Sequence, residues 1–114
     1  MRKELRLRQA RLFDKTYKEG KSAAAREVVL CFLYLEPGVP TRAGFSISKK
    51  VGNAVTRNRI KRRLKSILES AAESLRSGYI LVLVGRPPAA EVSFGELKKS
   101  VRRLLKRAEI LEGD

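Results

Sequence analysis

The 114-residue sequence predicts an α+β fold, a two-layer α/β sandwich in which helices pack on a small sheet. Three observations carry that expectation. Apolar residues recur at helical spacing in several stretches, two short apolar runs have the length of strands, and the two kinds of segment alternate along the chain. No repeat, low-complexity tract or long linker divides it, so residues 1–114 are expected to form one domain with a modest core.

Residues 8–19, "RQARLFDKTYKE", read as a first helix with Leu12, Phe13 and Tyr17 at helical spacing and Gly20 as its C-cap. "EVVLCFLYLE" reads as a strand and "EPGVP" as a turn. In "RAGFSISKK", Phe45 and Ile47 point to one face while Gly44, Ser46 and Ser48 point to the other. A short extra strand fits around 48–51. Asn53 is the candidate N-cap of the middle helix, and Ile60, Leu64, Ile67, Leu68 and Ala71 form its buried stripe, carrying it to about Leu75. "YILVLVG" is apolar at nearly every position, which suits a strand covered on both faces or paired in parallel after a helical crossover. "SFGE" has the form of a capping box, Ser93 with Glu96, opening a last helix with the stripe Leu97, Val101, Leu104 and Leu105. The predicted order is α-β-β-(β)-α-β-α.

Charge narrows the function. The chain carries 26 Lys plus Arg against 12 Asp plus Glu, a formal +14, which attracts polyanions and makes nucleic acid the leading partner. An anionic membrane is the weaker alternative, since "VVLCFLYL" and "YILVLV" are too short to span a bilayer and no signal peptide opens the chain. A soluble, cytoplasmic protein is expected. With no histidine, a Ser-His-Asp triad, a Cys-His pair and His-ligated zinc are excluded, and the single Cys31 forms neither an internal disulfide nor a metal cluster alone. No Asp or Glu occurs between Pro37 and Leu68. Any reaction served by this chain is therefore expected to take its chemistry from another molecule.

Residues 42–65 hold nine basic side chains and no acid, +9 of the +14. At about 100° per residue, Arg59, Arg62 and Arg63 fall on one flank of the middle helix, and Arg57, Lys61 and Lys65 form a row along the other. An ordinary solvated face mixes signs; the like-charge pairs Arg57/Lys61 and Lys61/Lys65 each cost roughly 0.2–0.5 kcal/mol when no anion is bound. A phosphate-bearing partner offsets that cost, and guanidinium groups with Asn58 between them suit phosphates and base or sugar edges. Arg2, Lys3, Arg6, Arg8 and Arg11 add charge at the start, and Lys98, Lys99, Arg102, Arg103, Lys106 and Arg107 load the last helix. Charge on more than one face favours a large folded RNA over a single DNA groove.

A second candidate site is a cleft. Phe13 and Tyr17 are one helical turn apart, and Ser46, Ser48 and Cys31 offer a small sheet floor. Aromatic walls over a polar floor suit unstacked bases at about 1–3 kcal/mol per stack. The same aromatic spacing also suits plain core packing.

At "SISKKVGNAVTRNRIKRRLK" the sequence closely resembles the protein subunit of bacterial ribonuclease P, through Lys49, Lys50, Gly52, Asn53, Arg57, Asn58, Arg59, Lys61 and Arg62. The likeness continues in order through "RLR", "FDKTYKEGKS", "GFSISKK", "YILVLVGRPP" and the basic last helix. Leu12 and Thr16 depart from it, standing where that family often carries Asp and an aliphatic residue, which bears on how the first helix is capped. The resemblance implies a left-handed βαβ crossover and removal of the 5′ leader from precursor tRNA, with the chemistry on a catalytic RNA subunit and its Mg²⁺. It implies that Lys49, Lys50, Asn53, Arg57, Asn58, Arg59, Lys61, Arg62, Arg63 and Lys65 dock on the RNA subunit. The cleft of Phe13, Tyr17, Cys31, Ser46 and Ser48 would hold the leader. No metal bound by protein side chains and no protein partner are expected.

Composition and architecture alone fit a ribosomal or general structured-RNA-binding protein equally; only the ordered motifs separate the two. "GKS" at 20–22 is not a phosphate-binding loop, because Lys15 stands where that motif needs glycine, and it reads as a C-cap followed by a loop. "RIKRRLK" is a poor recognition helix, since Ile60 and Leu64 bury its inner side. A protein nuclease would need clustered acids, and Asp14, Glu19, Glu27 and Glu36 form no recognisable set.

Overall fold

The structure, a computed structural model, describes residues 5–112, so Arg2 and Lys3 lie outside the described residues. Its elements are helix α1 (Ala10–Glu19), strands β1 (Lys21–Ala24), β2 (Val28–Tyr34) and β3 (Arg42–Ile47), helix α2 (Ala54–Ala71), strand β4 (Tyr79–Gly85) and helix α3 (Phe94–Arg107). The four strands form one mixed sheet in the order β1-β2-β4-β3. β2 runs antiparallel to β1 and β4, whereas β3 and β4 are parallel neighbours joined through α2, a βαβ unit.

Strand alternation divides the core in two. Val28, Leu30, Ala43, Leu81 and Leu83 face α2 and α3 and join Ile60, Leu64, Ile67, Leu68, Leu97, Val101, Leu104 and Leu105 in the main cluster. Ile80 and Val82 face the other way, into a smaller cluster with Leu7, Leu12, Phe13 and Cys31 beneath α1. The whole predicted stripe of α2 is buried, and full burial of each large aliphatic side chain contributes about 1.5–3 kcal/mol. Both faces of β4 are covered, as its unbroken apolar run requires.

Two expectations are corrected. The extra strand lies at Lys21–Ala24, not around 48–51, so "GKS" leads into a strand rather than a loop. β1 forms a hairpin with β2, registering Lys21 with Phe32 and Ala24 with Val29. Residues Lys49–Val51 instead make one 3-10 turn that buries Val51 and delivers the chain to α2. Gly20 does end α1, its N–H donating to the Thr16 carbonyl at 2.9 Å, but in an extended conformation. A side chain there would strike the carbonyls of Phe32 and Thr16, so close approach of helix to strand, not a left-handed turn, demands glycine.

The outer edge of β3 is partly covered. Arg6 pairs with Ala43, and the Leu7 N–H donates to the Ala43 carbonyl at 2.9 Å. This contact satisfies part of an edge that would otherwise be open to other strands.

Candidate nucleic-acid interface

The entry to α2 is built by its own sequence. Asn53 accepts a hydrogen bond from the Thr56 N–H at 2.9 Å through its side-chain oxygen, so that oxygen is committed to capping the helix. Arg57, half-buried, donates from Nε to the Gly52 carbonyl at 3.2 Å, which holds the side chain at the helix mouth. Lys49 and Lys50 are exposed on the turn just before it, and Asn58, Arg59, Lys61 and Arg62 are exposed on the helix.

The two flanks of α2 differ in surroundings. On one, Arg59 reaches the Ala90 carbonyl and half-buried Arg63 the Val92 carbonyl, each at 3.3 Å, so these arginines also pin the segment leading into α3. Arg62 between them is exposed. On the other, Lys61 and Lys65 overlook the edge of β3, where a cavity of about 140 Å³ is lined by Arg6, Leu7, Phe13, Gly44, Lys61 and Lys65 among others. Partial burial, then the neighbouring charges of Lys61 and Arg6, hold the Lys65 ammonium below the ordinary lysine range. Three cations thus crowd one concavity. Arg6 was not singled out as a site residue; its place depends on pairing with Ala43, for which residues 5–8 carry no periodic signal.

α1 lies over the opposite face of the sheet. Phe13 is half-buried, and its ring sits where a side chain at Gly44 would have to go. Across the strands beneath, Gly44, Val82, Cys31 and Ser22 form one row, and Ser46, Val84, Val29 and Ala24 the next. Cys31 is half-buried, and burial raises its thiol pKa, leaving it a neutral part of the floor. Ser46 is half-buried; Ser48 stands exposed past the strand end. Tyr17 is 47% exposed, and the residue α1 buries is Thr16, whose hydroxyl donates to the Leu12 carbonyl at 2.7 Å. The structure brings Phe13, Cys31 and Val82 into one cluster and leaves Tyr17 and Ser48 as open rims. Gln9, the N-cap of α1, makes no side-chain capping bond.

Among the described residues, no three His, Cys, Asp or Glu side chains converge on one point. No helix among them is long and apolar enough to cross a membrane. The interface can position anions and stack or cover bases.

A small mixed sheet, a helix with no acid before Glu69 packed on one face and an aromatic side chain over the other define the class: a strongly basic α/β protein. The family follows from the comparisons. The family model "Ribonuclease P" matches residues 1–109. A ribonuclease P protein component of Symbiobacterium thermophilum is 38% identical over 112 residues, covering 98% of this chain and 97% of the relative. One of Shouchella clausii is 40% identical, covering 97% and 91%. Among solved structures, the RNase P protein of Staphylococcus aureus superposes with a TM-score of 0.86 at 29% identity, covering 95% of this chain and 98% of that one. The RNase P protein of Thermotoga maritima, solved with 1-(4-fluorophenyl)-2-thiourea, gives 0.81 at 30% identity, covering 90% and 98%. The chain belongs to the ribonuclease P protein family.

Proposed function

We propose that this chain, acting as one domain over 1–114, is the protein component of a ribonucleoprotein endoribonuclease that matures the 5′ ends of tRNA in the cytoplasm. It binds the catalytic RNA subunit through Lys49, Lys50, Asn53, Arg57, Asn58, Arg59, Lys61, Arg62, Arg63 and Lys65. Phe13, Tyr17, Cys31, Ser46 and Ser48 hold the single-stranded leader of precursor tRNA. Family membership supports the role. The observation that carries the residue reading is the meeting of both surfaces: Phe13 of α1 and Lys61 and Lys65 of α2 line one cavity.

A strand leaving the cleft meets cations at the edge of β3, so one nucleic acid can be held by stacking and by charge together. In this reading the proton transfers and the Mg²⁺ of the reaction are supplied by the catalytic RNA. The protein's part is to orient two RNAs and offset their mutual repulsion.

The test is cleavage of a 5′-extended precursor tRNA by a bacterial ribonuclease P RNA at low Mg²⁺, with the protein, without it, and with the protein alone. Stimulation of the RNA with no cleavage by the protein alone supports the reading. No stimulation, with tight binding to other structured RNA, replaces it with a general RNA-binding role.

A further inference from the structure

We propose that α3 carries a second, independent docking face for the RNA subunit, made by Lys99, Arg103 and Lys106 with Arg102 beside them. This inference rests on the ribonuclease P reading above. α3 buries Leu97, Ser100, Val101, Leu104 and Leu105, which turns Lys99, Arg103 and Lys106 directly outward, all three exposed.

Helix stability does not account for this set. Lys106 and Arg107 occupy the last turn, where the helix dipole favours cations, but Lys98, Lys99, Arg102 and Arg103 lie before it. After Glu96, in the capping box, the helix has no acid, and Lys98/Arg102, Lys99/Arg103, Arg102/Lys106 and Arg103/Arg107 are four like-charge pairs at i,i+4. Each opposes the helix until an anion lies across it.

The occupant follows from what surrounds the helix. An amphipathic basic helix can lie on an anionic membrane only if its apolar side is free, and that side of α3 is fully enclosed in the core. The face therefore offers charge without an inserting surface, which suits a sugar-phosphate backbone. α2 and α3 pack together on the same side of the sheet, opposite α1 and its cleft. Arg59 and Arg63 tie α2 to the segment 90–92 that leads into α3, so the two helices present one continuous surface. The RNA bound by α2 extends across that surface, away from the corner where Lys61 and Lys65 meet the leader cleft.

The experiment compares the full chain with the triple variant Lys99→Gln, Arg103→Gln, Lys106→Gln, measuring affinity for the RNA subunit across a salt series at fixed Mg²⁺. The variant should bind at least tenfold more weakly, and its log-log salt slope should fall by about 0.7–0.9 per lost phosphate contact, roughly 2 in all. Its melting temperature should stay close to the parent's, because the repulsion removed offsets the loss of Lys106 at the helix end and of Lys99 beside Glu96. Its preference for precursor over mature tRNA in the assembled holoenzyme should be unchanged. The charge-preserving variant Lys99→Arg, Arg103→Lys, Lys106→Arg should keep the slope. Unchanged affinity and slope in the glutamine variant would overturn the α3 face, and if Arg57→Ala still reduces the slope the ribonuclease P reading stands without it. Loss of the slope in the charge-preserving variant also overturns it. So does a glutamine variant that keeps RNA affinity but loses binding to vesicles rich in anionic lipid.

Discussion

The Phe13 ring closes over the α-carbon of Gly44, occupying the space that any side chain at 44 would need. Helix α1 and edge strand β3 are thereby fitted to each other at the corner where the candidate cleft meets the cations of α2. Gly44→Ala should push the ring out at a cost of about 1–3 kcal/mol, the usual range for overpacking. Urea denaturation would read that loss. In binding assays the same variant should discriminate less between leader-bearing and mature tRNA while docking on the RNA subunit nearly as before. Equal weakening toward both RNAs would remove Phe13 from the leader site.

Ser100 of α3 is a buried polar residue whose hydroxyl lies 3.0 Å from both carboxylate oxygens of Glu27, itself only 9% exposed. The contact fastens α3 to the turn between β1 and β2. Ser100→Ala should destabilise the fold by about 1–3 kcal/mol, because it leaves a buried carboxylate without that donor. The double variant with Glu27→Gln measures the coupling. A zero coupling energy would mean that solvent already satisfies Glu27.

The Glu96 carboxylate accepts from the Ser93 backbone N–H at 3.1 Å, and this bond first, then the Ser93 side chain, holds its pKa below the ordinary Glu range. A folded value below the unfolded one means that the linked stability is present above the unfolded pKa and is lost as pH falls through the folded one. Glu96→Gln should therefore flatten the dependence of melting temperature on pH in the acid range, lying below the parent at neutral pH and converging with it as the parent's Glu96 protonates. An acid limb as steep as the parent's would assign it to other carboxylates.

Legibility from sequence followed how local the cause was. The stripe of α2, its Asn53 cap and the Ser93/Glu96 box depend on residues within one or two turns, and all three are present in the structure. Lys21–Ala24 has neither β-branched nor aromatic residues; it is a strand because β2 offers a hairpin partner. The alternation of "SISKKV" reads on past Ile47, but burial of Val51 winds 49–51 into a turn. In the candidate site, the aromatic spacing of α1 suggested Phe13 and Tyr17 as equals. Thr16 took the buried position and left Tyr17 at the rim. Arg6 was illegible because its position is set by Ala43, far away in sequence.

Lys65 separates a binding role from a packing role, because the two predict opposite signs. The residue is partly buried and stands near Lys61 and Arg6, and its pKa is lowered by desolvation first and by those charges second. For a lysine, a folded pKa below the unfolded one means that the charged form is less at ease in the fold at neutral pH, and the penalty is relieved only as pH rises through the folded value. Lys65→Gln removes the charge and should raise the melting temperature of the free protein at pH 7. A bound phosphate reverses the balance, since it neutralises the three cations together. The same substitution should therefore weaken RNA-subunit affinity and lower the salt slope by about 0.7–0.9, the value of one phosphate contact. Stability gained with affinity lost identifies a charge held in place for a polyanion. Stability lost with affinity unchanged would make Lys65 a packing residue of the β3 edge, and the cavity shared with Phe13 would then be part of the fold alone.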